Sequence, residues 1–161
     1  MSTLPHPDAR PASSAARRPG QVDPRGQRFA AALTAAVLAA ALVTIGTPFA
    51  TALVAVQLAV FALGVTLGPA RTPYARLFAR VVRPRIGAPT ETEDARPPRF
   101  AQAVGGVFAL VALLASVAGV VPLAAVAVGF ALAAALLNAA TGFCLGCEIY
   151  LALRRVAPQR A

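Results

Sequence analysis

The residues whose type and spacing point most directly to chemistry are two cysteines near the C-terminus. Cys144 and Cys147 are the only cysteines among 161 residues, and they stand three positions apart in the segment GFCLGCEIY. On a continuous helix this spacing places both sulfurs on one face, where they can form a disulfide or hold one soft ion. If the helix instead breaks at Gly142, Cys144 lies near the start of a new helix whose dipole stabilises a thiolate. The pair predicts a redox-active dithiol, and small apolar filler in a helix is the alternative interpretation.

Three charged residues are candidates to support the thiols. Arg28 and Arg99 each precede an apolar stretch, so we expect them at the membrane depth of the cysteines, where they would add positive potential. The alternative is that they are boundary arginines whose side chains extend to the membrane surface. Glu148 directly follows the second cysteine, so it can accept a thiol proton or pair with Arg154 or Arg155.

Other chemistries lack the residues that they require. A zinc site has weak support, because the chain offers only the two cysteines, the acid beside them and a single histidine, His6, in its N-terminal tail. Linear coordination of Cu(I) by two sulfurs stays open as an alternative. The sequence contains no haem ligand pair, nucleotide-binding loop, hydrolase triad or paired carboxylate site, so neither a cofactor nor a metal site is predicted.

The apolar composition predicts that membrane helices position these residues. Of the chain, 58% is hydrophobic and only 13% is charged, which is too apolar for a soluble domain. Four windows of 18 to 20 residues contain no charged side chain, and as helices each would span roughly 27 to 30 Å, the thickness of a hydrocarbon core. The windows are residues 29–46, 48–67, 102–121 and 123–141. The predicted fold class is an all-α integral membrane protein with four transmembrane helices.

Arginine supplies all fifteen basic residues, and its distribution predicts the orientation of the helices. The arginines fall in the N-terminal tail, in the central loop and near the C-terminus, whereas the turns that join the first two and the last two windows carry none. These turns, at residues 46–48 and 119–122, are the two hairpin tips. Basic loops stay on the cytoplasmic side, so both termini are predicted to be cytoplasmic in a multi-pass protein of the inner or plasma membrane. Topology also explains the net charge of +9, and no aromatic-rich basic domain accompanies it, so nucleic-acid binding is not predicted.

The spans and loops together predict the organisation of the chain. Its segments are a disordered cytoplasmic tail at 1–22, a first helical hairpin at 23–68, a cytoplasmic loop at 69–98, a second helical hairpin with the cysteine segment at 99–156, and a tail at 157–161. Within the loop, residues 74–82 alternate apolar side chains with arginines, which predicts a short interfacial amphipathic helix. Residues 84–98 have the composition of a polar linker.

An internal repeat relates the two hairpins. DPRGQRFAAA at residues 23–32 and DARPPRFAQA at residues 94–103 agree at six of ten positions, and GVTLGP at 64–69 resembles GFCLGC at 142–147. Each unit has an even number of crossings, so the sequence predicts a parallel repeat about an axis along the membrane normal. The glycines of the second motif provide small faces for close helix packing. They are Gly64, Gly68, Gly142 and Gly146.

The motifs DPRGQRFAAA, PPRFAQAVG and GFCLGCEIY together resemble an uncharacterised bacterial membrane family, domain of unknown function 4395. The resemblance covers about residues 22–156, and GFCLGCEIY is its most specific part. It implies four membrane helices and members that are encoded beside thioredoxin-like and sulfurtransferase proteins. For Cys144 and Cys147, where the family pattern is intact, it implies a thiol role.

Three functions are compatible with the sequence. The first is thiol redox or sulfane-sulfur exchange between the cysteine pair and a cytosolic thioredoxin-like or sulfurtransferase partner. The second is a carrier for a soft metal or a sulfur compound, which would be favoured if Gln57 and Asn138 faced a shared cavity. The third is an accessory structural subunit with inert cysteines. In each case the chain contacts the lipid bilayer, and a homo-oligomer is left open.

Overall fold

A computed structural model describes residues 20–156, and helices make up most of them. Four helices, of 20, 19, 22 and 21 residues, are long and apolar enough to cross a membrane. They are α1 (Pro24–Val43), α2 (Pro48–Thr66), α5 (Arg96–Val117) and α6 (Val121–Thr141), and the shorter helices are α3 (Pro73–Leu77), α4 (Arg83–Ile86) and α7 (Leu145–Val156). This arrangement confirms the all-helical class and the four apolar spans that the sequence predicts.

Capping residues and prolines set where the long helices begin. Asp23 caps α1, because its carboxylate accepts a hydrogen bond of 3.0 Å from the backbone N–H of Arg25. Thr47 caps α2 in the same way. Proline occupies the first turn of all four helices, where its missing N–H costs nothing. For this reason α5 starts at Arg96, three residues before the start predicted for the second hairpin.

The four long helices form a bundle in which each packs against two neighbours. α1 contacts α2 and α6, and α5 contacts the same two helices. Small side chains dominate the contacts between these four helices, so the helix backbones approach closely. The buried core cluster consists of Leu38, Ala41, Val54, Ala112, Ala127, Val128 and Ala131. In sequence these residues fall toward the hairpin tips, which meet where Gly46 approaches Val121.

The opposite end of the bundle is the basic end, formed by the starts of α1 and α5 and the ends of α2 and α6. Every arginine of the described residues lies in a helix terminus or connecting segment at this end, or in α7. The arginine-free tips and the basic end therefore mark opposite faces of the bundle, as the sequence predicts.

The segment between α2 and α5 is mostly helical and lies against the bundle. A 3-10 turn at Pro69–Arg71 leads into α3, which continues through a π-helical turn at Phe78–Val82 into α4. Residues 74–82, the stretch predicted as an amphipathic helix, are all helical. The buried Phe78 ring packs on Gly26 and lies 5.6 Å from the Phe29 ring, centroid to centroid, which holds the segment against α1.

The predicted tail and linker are partly ordered, which corrects the expectation of disorder up to residue 22. β1 (Gln21–Val22) pairs antiparallel with β2 (Glu93–Asp94), with Gln21 opposite Asp94. The Val22 side chain is buried, so burial and a backbone ladder both favour this short strand. The remaining expectations for the tails concern residues 1–19 and 157–161, which lie outside the described residues.

Candidate dithiol site

A left-handed glycine ends α6 and starts a new direction of the chain. Gly142 has φ +79°, and its N–H donates a 2.8 Å hydrogen bond to the carbonyl of Asn138. A residue with a Cβ is strained at this φ, whereas glycine adopts it freely. The break separates α6 from α7, so the cysteines do not lie on a continuation of the membrane helix. Of the two geometries considered for the pair, the structure has the helix break.

The cysteines occupy the start of α7. Cys144 and Cys147 form a disulfide, with their Cα atoms 5.2 Å apart. Sγ of Cys144 also accepts a hydrogen bond of 3.3 Å from the backbone N–H of Cys147. This is the position and the bonding pattern of a helix cap. Thr72 caps α3 in the same way, accepting a hydrogen bond of 3.2 Å from Ala75.

Close packing fixes α7 beside the start of α5. A Cβ added to Gly146 would lie 2.7 Å from both Cα and Cβ of Ala101, so only glycine permits this approach. Farther along, the rings of Tyr150 and Phe100 lie 5.7 Å apart. None of the described residues of α7 is fully buried. Gly146, which lies between the two cysteines, thus allows α7 and the cysteine pair to pack closely against the bundle.

A cavity of about 380 Å³ lies behind the cysteines, among α1, α2, α5 and α6. Both cysteines line it at the basic end, and apolar residues such as Phe61 and Phe108 line it deeper in the bundle. Its polar and charged lining residues are Gln27, Arg28, Thr34, Thr72, Tyr74, Glu93, Gln102 and Asn138. Asn138 therefore faces the cavity, as the carrier interpretation requires, but Gln57 is not among the residues that line it. The cysteines thus adjoin a small chamber of mixed polarity.

Gln102, one of the residues that line the chamber, carries an unsatisfied polar atom. Its Oε1 is buried and has no hydrogen-bond partner among the described residues. The amide packs so tightly on Gly64 that a Cβ there would lie 2.7 Å from Oε1. A buried acceptor without a partner costs about 1–3 kcal/mol. The site therefore keeps a polar group that the described fold itself does not satisfy.

A buried hydrogen-bond chain braces one wall of the cavity. The fully buried Gln57 donates to Oγ1 of Thr34 at 3.3 Å and accepts from the hydroxyl of Tyr74 at 3.0 Å. Burial raises the pKa of the Tyr74 hydroxyl above its ordinary value of 10.0, so it remains a donor at neutral pH. The chain ties α1 and α2 to α3, and it accounts for the polar residue in the middle of α2.

The two candidate arginines have equivalent contacts but different relations to the cysteines. Arg28 donates to the carbonyls of Ala139 and Ala140, at 3.3 and 2.9 Å, and so caps the end of α6. Arg99 caps the end of α2 by donating to the carbonyls of Val65 and Thr66. Arg28 also lines the cavity with the cysteines, whereas Arg99 does not. The structure therefore brings only one of the two arginines to the site.

The acid chosen from the sequence lies outside the chamber. Glu148 is exposed, does not line the cavity and, within residues 20–156, forms no ion pair with Arg154 or Arg155. Glu93, which the sequence placed in a polar linker, lines the chamber instead because β2 brings it to the basic end. In the same part of the chain, no group of three or more His, Cys, Asp or Glu residues is arranged to hold a metal ion.

The four glycines of the second repeat motif have two different roles. Gly64 lies inside α2 and Gly146 inside α7, and both are at close contacts. Gly68 and Gly142 instead take positive φ, +95° and +79°, directly after α2 and α6. The helix ends therefore match Gly68 with Gly142, a register that differs by four residues from the one read in the sequence.

Sequence reasoning missed Gln102, although the repeat contained a signal for it. Where DARPPRFAQA has Gln102, the matching segment DPRGQRFAAA has Ala31. A polar residue that replaces alanine in an otherwise matching apolar helix marks a position with a separate role. Glu93 and Tyr74 had no such signal, because only tertiary packing brings them to the cavity.

Comparison with known proteins identifies the family to which this site belongs. The chain matches the family model described as Domain of unknown function (DUF4395) over residues 22–155. No curated protein and no solved structure matches the chain. The match spans all four long helices and both cysteines, and it confirms the resemblance drawn from the sequence motifs.

Proposed function

Since the chain belongs to the DUF4395 family, which has no assigned function, we propose from its geometry that it is a membrane dithiol–disulfide protein. Cys144 and Cys147 exchange electrons, or a sulfane sulfur, with a cytosolic thioredoxin-like or sulfurtransferase partner. The observation that carries the proposal is the disulfide at the first turn of α7, where Sγ of Cys144 accepts the N–H of Cys147.

The chemistry of exchange uses the two sulfurs in sequence. A thiolate of the partner attacks one sulfur of the disulfide, forms a mixed disulfide and releases the other sulfur as a thiolate. When that mixed disulfide is resolved by a second partner thiol, the partner is oxidised and both cysteines become thiols. The N–H of Cys147 and the dipole of α7 stabilise negative charge on Cys144. In the reverse direction Cys144 is therefore the attacking thiolate, and Cys147 is the thiol that resolves its mixed disulfide; in the direction that oxidises the partner, Cys147 is the sulfur that is released.

We place the cysteines on the cytoplasmic face of the inner or plasma membrane. The arginines of the described residues gather at the basic end and α7, and cytoplasmic loops are enriched in such residues. An even number of crossings gives both termini the same side. Disulfides that form in the reducing cytosol are commonly transient and catalytic, which supports an exchanging role over a structural one.

We also infer that the two hairpins are a parallel repeat, extended by one short helix each. The paired caps of Arg28 on α6 and Arg99 on α2 support this, as do the aromatic contacts of Phe29 and Phe100 with the helices that follow their hairpins. In this repeat Cys144 corresponds to Thr72, since each caps the short helix. Cys144 then takes the place of a threonine cap in one half, which supports a role beyond packing.

Trapping a mixed disulfide tests the proposal. The full chain with Cys147→Ser is incubated with a thioredoxin whose resolving cysteine is replaced by serine and whose remaining cysteine is activated as a mixed disulfide with a chromophoric thiol. We expect a covalent adduct on a non-reducing gel, and about tenfold less with Cys144→Ser, because the helix start activates only Cys144. If neither Cys147→Ser nor Cys144→Ser forms an adduct, the proposal is contradicted.

A carrier for a soft metal or a sulfur compound is the second candidate, favoured by one observation: Asn138 and both cysteines line the same cavity. The core cluster of buried residues toward the hairpin tips, such as Val54 and Ala112, opposes it because it leaves the outer half of the bundle filled. Protection of both thiols from labelling by one equivalent of Cu(I), with no adduct in the trapping experiment, would favour the carrier.

A further inference from the structure

The cavity behind the disulfide is bordered by a side chain that is also exposed on the outer surface of the bundle, where lipid would lie. It reaches Phe108 and Phe130, whose rings pack 6.1 Å apart between α5 and α6. Phe130 is 63% exposed, so the same side chain borders both the chamber and the outside of the helices. This is therefore the level at which the apolar tail of a ligand would leave the chamber. At the other end the chamber meets the two cysteines.

The polarity of the chamber fits a neutral ligand with hydrogen-bonding groups. Apart from Arg28 and Glu93, its polar lining consists of amides and hydroxyls, such as Gln102, Asn138 and Thr34. Arg28 already donates to two carbonyls of α6. The buried Oε1 of Gln102 still lacks a partner among the described residues. Because the O and N assignment of an amide is exchangeable by rotation, Gln102 can accept from a ligand hydroxyl or donate to a ligand carbonyl.

We propose that this cavity binds the ring of a lipid-soluble quinone, which accepts two electrons from the Cys144–Cys147 dithiol. The inference rests on the proposed dithiol function, because a disulfide reduced by a cytosolic partner needs a second reactant to reform. Two S–H bonds break and one S–S bond forms, while two electrons and two protons reduce the quinone to a quinol. The amide of Gln102 serves both forms, bonding the carbonyl of the quinone and the hydroxyl of the quinol.

Photolabelling tests binding without depending on the thiols. The full chain carrying Cys144→Ser and Cys147→Ser is placed in nanodiscs of phosphatidylcholine and phosphatidylglycerol and irradiated with an azido-benzoquinone bearing a decyl tail. We expect labelled peptides from α5 and α6, with labelling suppressed by excess decyl-benzoquinone. Gln102→Leu should reduce labelling about tenfold, since the buried hydrogen bond is lost. Gln21→Leu, the same change in β1 outside the cavity, should leave it unchanged.

Electron transfer is then measured separately. Reduced wild-type protein mixed anaerobically with decyl-benzoquinone should form about one equivalent of quinol and lose both free thiols, as the two-electron balance requires. Asn138→Leu gives a second cavity variant if Gln102→Leu fails to fold. Absence of competable labelling in the double-serine chain overturns the quinone site even when a thioredoxin adduct forms. Competition by a simple acyl chain at equal concentration overturns it as well, because the chamber would then be a lipid groove. Labelling without quinol formation overturns the electron transfer.

Discussion

At the scale of single residues, two glycines shape the candidate site by the space that they leave. Gly64 leaves room for the amide of Gln102, and Gly146 leaves room for the backbone of Ala101. Both contacts would be 2.7 Å from an added Cβ, but their partners differ. A long amide can move aside, whereas helix backbone cannot. The position of the cysteines therefore depends more strictly on Gly146.

Replacing Gly146 by alanine tests this steric constraint. We expect Gly146→Ala to move α7 away from α5 and to lower stability by about 1–3 kcal/mol, the usual cost of overpacking. Thermal unfolding in detergent measures the stability, and hydrogen exchange of α7 reports its detachment. Gly129→Ala is the matched control, because beyond its own helix backbone and chain neighbours no described atom lies within 4 Å of its Cβ position, and alanine favours a helix. Equal effects of the two changes would contradict the constraint.

At the scale of elements, local signals predicted the helices better than their ends. Uncharged windows of sufficient length identified the four spans, because a membrane requires that length and composition. The prolines before Arg99 extended α5 upstream to Arg96. The break at Gly142 remained one of two alternatives, since a glycine is tolerated inside a membrane helix or at its end. The chamber with Gln102 was not predictable, because it depends on distances between helices that no local pattern encodes.

Arg28 and Arg99 each cap the end of a helix in the other hairpin, and this arrangement leads to a prediction. Each arginine donates to carbonyls at the end of a helix from the other hairpin. Removing either should destabilise the bundle by about 1.5–3 kcal/mol, the range for hydrogen bonds to charged groups. Only Arg28 shares a cavity with the cysteines. We therefore expect Arg28→Ala to change the rate at which a maleimide labels the reduced thiols, and Arg99→Ala to leave that rate unchanged.

Lysine at the same positions separates charge from geometry. Arg99 uses two nitrogens of its planar guanidinium, Nε and Nη2, to reach two carbonyls, whereas Arg28 reaches both of its carbonyls through Nη2 alone. Lysine keeps the charge but lacks this planar group, so Arg99→Lys should lose more stability than Arg28→Lys. Unfolding in a denaturant series gives the free energies, and stopped-flow labelling of the reduced protein gives the rates. A thiol labelling rate that responds equally to Arg28→Ala and Arg99→Ala would show that the cap on α6 has no special relation to the cysteines.

At the scale of the whole molecule, charge and packing divide the bundle into two unlike ends. Toward the tips, alanine and valine side chains such as Ala41, Val54 and Ala112 are fully buried and fill the interior. Toward the basic end, the interior opens into the chamber and the connecting segments carry arginine. This asymmetry agrees with the proposed function, in which a reactant would enter the open end and react on one side of the membrane.

The side on which the basic end lies is the last prediction, and two new cysteines in the Cys144→Ser, Cys147→Ser chain test it. Ala88→Cys lies in the segment between α4 and β2, and Ala118→Cys lies at the exposed tip after α5. Because arginine-rich loops remain cytoplasmic, a membrane-impermeant maleimide should label Ala118→Cys in intact spheroplasts and Ala88→Cys in inverted vesicles. Detergent should make both sites react, which controls for accessibility. Labelling of Ala88→Cys from outside would reverse the orientation and move the dithiol to the compartment where structural disulfides persist.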